Sequence, residues 1–179
     1  MTNHEREPIC CGNEAQSFGG LAARDFATLD QAAVKLTCAD GRFSEPAKQM
    51  GRLLGERIAI ERGSKSLCLD EALSTLVSAC GCECVLHSHF LQRTPDGALL
   101  QITGCTAVLG WEIPSVNRAV CGFDAGLFEG FLCSATGKSV GVEETACLGL
   151  GDSSCEFKIT LYPAQAINGE REGVYDGNC

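Results

Sequence analysis

Glu144, Cys147 and Cys155 lie within twelve residues of one another and carry the donor types of a metal site. In Cys155-Glu156-Phe157-Lys158-Ile159-Thr160-Leu161 the odd positions are apolar and the even ones polar. Side chains alternate faces along a strand, so Cys155 shares a buried face with Phe157 and Ile159. The segment at about 139–146 reads as the partner strand, with Val140, Val142 and Glu144 on one face. That pattern sets a carboxylate among valines, where an ionised group is costly unless paired or bound to metal. The loop Leu148-Gly149-Leu150-Gly151-Asp152 folds the chain back, which lets the three residues converge at the end of a hairpin. Two thiolates and a carboxylate lack one ligand for tetrahedral zinc, and Cys121 is the leading candidate for the fourth. Periodicity alone leaves an equal alternative: Cys147 and Cys155 as core thiols, with Glu144 reaching water or an arginine.

The chain holds thirteen cysteines in 179 residues. Disulfide frameworks belong mainly to short secreted chains, so most of these cysteines read as reduced. The densest group is Cys80-Gly81-Cys82-Glu83-Cys84. On a strand Cys82 and Cys84 share a face, and with Cys80 and Cys105 they form the candidate for a second metal or redox centre. The plainer account is a buried run of small thiols, since one strand cannot surround a tetrahedral metal. Phe90, Trp111, Phe128 and Phe131 are candidates for an apolar ligand pocket; a packed helix needs such a stripe for its core in any case.

The elements that must position these residues follow from their periodicity. Phe26, Leu29, Ala33 and Leu36 recur at helical spacing. A second helix has Ser44 as its cap and Pro46 in its first turn. Its apolar stripe is Ala47, Met50, Leu53, Leu54 and Ile58, while Gly51 and Gly55 permit close backbone approach. A third helix opens at Asp70 and stops at Gly81. Cys84 to Gln92 alternates as a strand, Thr94-Pro95-Asp96-Gly97 is a turn, and Ala98 to Thr103 returns to make a hairpin. Asp124 to Ala135 is a helix, and the two strands already described close the domain. Helices, hairpin, helix, hairpin is an α+β order, with helices packed on an antiparallel sheet. Residues 1–16 read as a mobile tail, 17–162 as one domain and 163–179 as a C-terminal tail.

Composition narrows the function classes. The net charge is −9 with no cluster of Lys and Arg, which makes nucleic acid and anionic membranes poor partners. No apolar stretch approaches the roughly 20 residues of a membrane span. Met1 to Pro8 is polar and does not read as a secretory signal, so a cytoplasmic location is expected.

Cys121-Gly-Phe-Asp-Ala-Gly-Leu-Phe-Glu-Gly130, Thr136-Gly137-Lys138, Glu144-Thr-Ala-Cys147 and Gly151-Asp-Ser-Ser-Cys155-Glu-Phe157 together resemble the signature of the 4-vinyl reductase, or hydrocarbon-binding, domain family. Met50-Gly51-Arg52-Leu53-Leu54-Gly55 resembles its earlier helix, so the likeness runs over about 46–160. The resemblance implies the sensor fold of phenol- and xylene-responsive activators, shared with nitric-oxide-signalling and vesicle-tethering proteins and often paired as dimers. It also implies zinc at Cys121, Glu144, Cys147 and Cys155. With four protein ligands that zinc is structural, having no open position for water. The function expected is binding of a small hydrophobic, aromatic or tetrapyrrole-like ligand by a homodimer. The rival readings are an enzyme or accessory in tetrapyrrole vinyl reduction, a cysteine-rich metal or corrinoid redox protein, and a protein-interaction adaptor. No nicotinamide or flavin motif is visible to supply electrons for the first.

Overall fold

The computed structural model describes residues 17–18, 21–82, 86–94, 96–105 and 115–163, with side chains at 28–77, 92–94, 96–102 and 115–163. Elements run in the order β1 (Ser17–Phe18), β2 (Leu21–Ala22), α1 (Ala23–Ala39), α2 (Ser44–Glu61), α3 (Leu69–Cys82), β3 (Leu86–Thr94), β4 (Gly97–Cys105), α4 (Gly122–Thr136), β5 (Val140–Ala146) and β6 (Cys155–Leu161). Among the described residues β1 and β2 pair only with each other, and the other four strands form an antiparallel sheet in the order β3-β4-β6-β5. This is the α+β arrangement expected from the element order, with both hairpins in place and joined along β4 and β6.

The sheet has one apolar face. Ala98, Leu100 and Ile102 of β4 pair with Ile159, Phe157 and Cys155 of β6, and Val142 of β5 pairs with Ile159. All of these are buried. α4 covers that face, with Phe128 meeting Phe157 edge to face at 5.1 Å between ring centres. Twelve residues of α4 are buried, from Phe123 to Thr136, so the helix is enclosed rather than half-exposed. Its other side meets α2.

The α2–α4 contact is built from glycines. A Cβ on Gly51 would collide with the Phe123 carbonyl oxygen, and one on Gly55 with that of Leu127. From the other helix, Gly126 and Gly130 stand equally close to the carbonyl oxygens of Lys48 and Arg52. Four-residue spacing puts each glycine pair on one helix face, and the missing side chains let the backbones touch. Charged contacts fix the rim. Lys48 Nζ lies 3.0 Å from Glu129 and donates to the Val142 carbonyl at 3.2 Å, tying α2 to α4 and β5.

The structure departs from the sequence expectations for α2. Its buried face is Ala47, Gly51, Gly55, Ile58 and Ala59, whereas Met50 and Leu53 point outward, Leu53 being 67% exposed. The smallest residues win the interior because backbone contact with α4 leaves no room for larger ones. Ser44 is the first helical residue and makes no cap; Phe43 precedes it without a side-chain hydrogen bond.

α3 also differs at both ends. Cys68 caps it: the Glu71 N–H donates to Cys68 Sγ at 3.5 Å, and the Cys68 N–H donates to Glu71 Oε2 at 2.9 Å. This is a capping box with a thiol in the hydroxyl's place. The helix continues through Gly81 to Cys82, because an interior glycine weakens a helix without necessarily ending it. Cys82 is therefore helical, and the strand placement expected for it beside Cys84 is not formed. Gly137, in contrast, ends α4 as expected, at φ 66°.

Candidate metal centre

Cys121, Glu144, Cys147 and Cys155 meet at one end of the sheet, and their ligand atoms all lie within 4.8 Å of one another. Each arrives on a different element. Cys121 is the residue preceding α4, and Cys155 is the first residue of β6, paired with Ile102. Their Sγ atoms are 3.5 Å apart. Glu144 reaches the site from β5, on the face it shares with Val140 and Val142. The β5–β6 register shifts between Glu144 and Ala146. That irregularity turns the chain so that Cys147, out of step with the preceding inward positions, is nevertheless 0% exposed.

Cys147 then caps a short 3₁₀ turn, Leu148–Leu150, and the backbone surrounds its sulfur with donors. Gly149 N–H and Val120 N–H both donate to Cys147 Sγ at 3.3 Å. Asp152 holds the turn by accepting from the Cys147 N–H at 2.8 Å, and Gly151 closes it at φ 94°. The Cys121 N–H donates to Glu144 Oε2 at 3.0 Å. Glu144 Oε1 is buried and has no hydrogen-bond partner.

The loop ahead of Cys121 is anchored from α1. Arg118 donates to the carbonyls of Thr37 at 3.1 Å and Cys38 at 2.7 Å. Val116 N–H donates to the Gly149 carbonyl at 2.9 Å. Neither Arg118 nor Asp152 stands out in the sequence. Asp152 carries a signal, an acidic side chain closing a Gly-Leu-Gly loop; Arg118 carries none, since its partners are backbone carbonyls of Thr37 and Cys38, far away along the chain.

Electrostatics explain why the cluster does not look like ordinary core. Burial, with the nearby Cys147 sulfur adding to it, pushes the Glu144 carboxyl up to about 9, against the pull of its hydrogen bond with Cys121. Contact with the Cys121 and Cys155 sulfurs holds Cys147 far below the usual thiol range. Cys155 is pulled down by Cys121, but Cys147 and burial outweigh that and leave it raised. The enclosure thus accommodates one negative charge and resists the rest, and a bound cation would relieve that resistance. Three sulfurs and one oxygen, with one oxygen lacking any protein partner, suit a borderline-soft divalent ion. The donor set and the orphaned Oε1 therefore fit a metal.

The other sequence candidates fare differently. Phe128 and Phe131 are 1% and 0% exposed and belong to the packed core. An apolar cleft of about 130 Å³ lies elsewhere, between α1 and the start of α2, against Ala33, Leu36, Phe43, Pro46, Ala47 and Met50. Trp111 and Cys84 lie outside the described residues, as do 1–16 and 164–179; for Phe90, Cys80, Cys82 and Cys105 only the backbone is described. Cys38, Cys68, Cys121, Cys147 and Cys155 are free, as expected of reduced thiols, whereas Cys133 is disulfide-bonded. Among the described residues no helix is long and apolar enough to cross a membrane.

Comparison with known proteins places this geometry in context. The model of the 4-vinyl reductase domain matches residues 100–161, a stretch that contains all four residues of the cluster. Over 62 residues the chain is 32% identical to an uncharacterized protein of Methanocaldococcus jannaschii, covering 35% of this chain and 37% of that protein. The match thus spans little more than a third of that relative's length. Two solved structures share the fold. A trafficking protein particle complex subunit 3 from Naegleria fowleri, covalently bound to palmitic acid, has a TM-score of 0.60 at 17% identity, over 79% of this chain and 95% of that one. The phenol-responsive sensory domain of the transcription activator PoxR, with phenol, has a TM-score of 0.50 at 17% identity, over 79% and 74%.

Proposed function

From the premise that residues 100–161 are a 4-vinyl reductase domain, we propose that this chain binds a small hydrophobic ligand within a fold braced by one zinc ion. The ligands of the zinc are Cys121, Glu144, Cys147 and Cys155. The observation that carries the metal half is their convergence: four donor atoms within 4.8 Å, contributed by four separate stretches of backbone. Four protein ligands make the site structural at rest, fastening the start of α4 to β5 and β6.

The ligand half is supported by the fold. Two chains of this fold each hold a small apolar molecule, phenol in one and covalent palmitic acid in the other. A hydrocarbon, aromatic or tetrapyrrole-like molecule is the corresponding ligand here. Phe90, Trp111, Phe128 and Phe131 are the proposed lining. The protein is further proposed to be a cytoplasmic homodimer. Leu36, Phe43, Met50, Leu53 and Ile60 are exposed on α1, α2 and their connection, which supports an apolar contact face there.

The test is one preparation analysed twice. Elemental analysis of protein purified without added metal should give about one zinc per chain. Native mass spectrometry should show a retained organic ligand, or a saturable shift on adding phenol or a short fatty acid. Iron without zinc, or no metal, would reject the metal half. No retained molecule and no response to either probe would reject the ligand half.

A further inference from the structure

The four ligands differ in how firmly the fold holds them. Cys121, Cys147 and Cys155 are 0–1% exposed. Cys147 Sγ is gripped by two backbone N–H groups, and the sulfurs of Cys121 and Cys155 are in contact. Glu144 is only half-buried, and one of its carboxylate oxygens makes no hydrogen bond. It stands at the point where β5 and β6 lose register, with Thr145 next to it exposed. Bulged strand segments re-aim side chains more readily than regular ladders. Donor chemistry points the same way, since a borderline-soft metal prefers thiolate to carboxylate. The weakest donor therefore lies nearest to solvent, on the most deformable backbone of the site.

We propose that Glu144 is the exchangeable arm of the metal centre: its displacement opens one coordination position to an incoming thiolate while Cys121, Cys147 and Cys155 retain the metal. This rests on the metal reading above. In the exchange a metal–oxygen bond breaks and a metal–sulfur bond forms. The incoming thiol releases its proton to solvent, and no electron is transferred. One anion replaces another at the metal, so the charge of the centre is unchanged. The released carboxylate needs only to turn toward water, which its half-exposed position permits.

Cobalt(II) substituted for zinc reports the ligands by absorption, because thiolate-to-cobalt charge transfer grows with the number of bound sulfurs. The full chain, loaded with Co²⁺ in a phosphine reductant, is titrated with 2-mercaptoethanol. In the wild type the band should rise saturably, with cobalt retained through gel filtration. A Glu144→Cys variant should show the higher intensity beforehand and not respond. A Glu144→Ala variant, lacking the internal competitor, should saturate at a roughly tenfold lower thiol concentration. A wild-type band unmoved at thiol concentrations that saturate Glu144→Ala would overturn the proposal. Cobalt stripped from the wild type by the thiol would overturn it too. Failure of the wild type to take up cobalt at all would fall on the metal reading itself, and on this inference with it.

Discussion

Gly55 of α2 and Leu127 of α4 touch backbone to backbone, so that a Cβ on Gly55 would run into the Leu127 carbonyl oxygen. The contact is with main chain, which cannot rotate out of the way. It brings α2 against the helix that begins just after Cys121 and covers the sheet, so the metal centre and the helix pair share one rigid element.

A Gly55→Ala substitution should therefore destabilise the protein. At an exposed helical site the same change would add about 1 kcal/mol of helix propensity. Here it forces two backbones apart, and overpacking of this kind costs about 1–3 kcal/mol. Denaturant unfolding should show a lowered midpoint. An unchanged or raised midpoint would mean that the helices separate freely.

Asp30 gives a prediction of pH dependence. It is 1% exposed on α1, and neither carboxylate oxygen has a hydrogen-bond partner. Burial first, and the charge of Asp124 second, raise its pKa well above the ordinary value. The native state then keeps a proton that the unfolded chain gives up near pH ~4. Stability is lost as pH climbs from that value to the raised one and is constant above it. Asp30→Asn removes the effect. The variant should match wild type near the lower value and exceed it at neutral pH, by thermal or denaturant unfolding. A variant less stable than wild type at neutral pH would show that the ionised carboxylate has a stabilising partner.

The assembly can be tested at Leu53, which is 67% exposed in the α2 stripe. Light scattering should give a dimer for wild type and a monomer for Leu53→Glu, with the fold retained. A wild-type monomer at high concentration would reject the dimer.

Much of the metal centre is legible because strands write their faces directly into sequence. Period-two alternation places Glu144 with Val140 and Val142, and Cys155 with Phe157 and Ile159, and these residues do share the covered side of the sheet. Cys147 is harder, since the register shift after Glu144 puts it out of phase. Periodicity misleads most on α2, where the large apolar residues Met50 and Leu53 face outward and glycines face the partner helix. Hydrophobicity marks what a helix can bury; here backbone proximity decides what it does bury. Cys82 is misplaced for a related reason, because Gly81 reads as a stop where the helix runs on.

Cysteine substitution separates ligand from bystander. Cys155→Ser and Cys68→Ser are the same chemical change in opposite settings. Cys155 is 1% exposed, in contact with Cys121 and within the four-residue cluster. Cys68 is exposed and caps α3, a position where serine is the better residue. Loss of a structural metal is loss of folding free energy, because the unfolded chain offers no preformed site. Cys155→Ser should therefore lose zinc and several kcal/mol, a large share of the roughly 5–15 kcal/mol typical of a domain. It should also be insensitive to chelators that lower the wild-type melting temperature. Cys68→Ser should keep full zinc content and unchanged or slightly higher stability. Equal zinc in wild type and both variants would remove Cys155 from the site. Zinc lost on substitution of Cys68 alone, with the fold intact, would mean that the metal is held elsewhere.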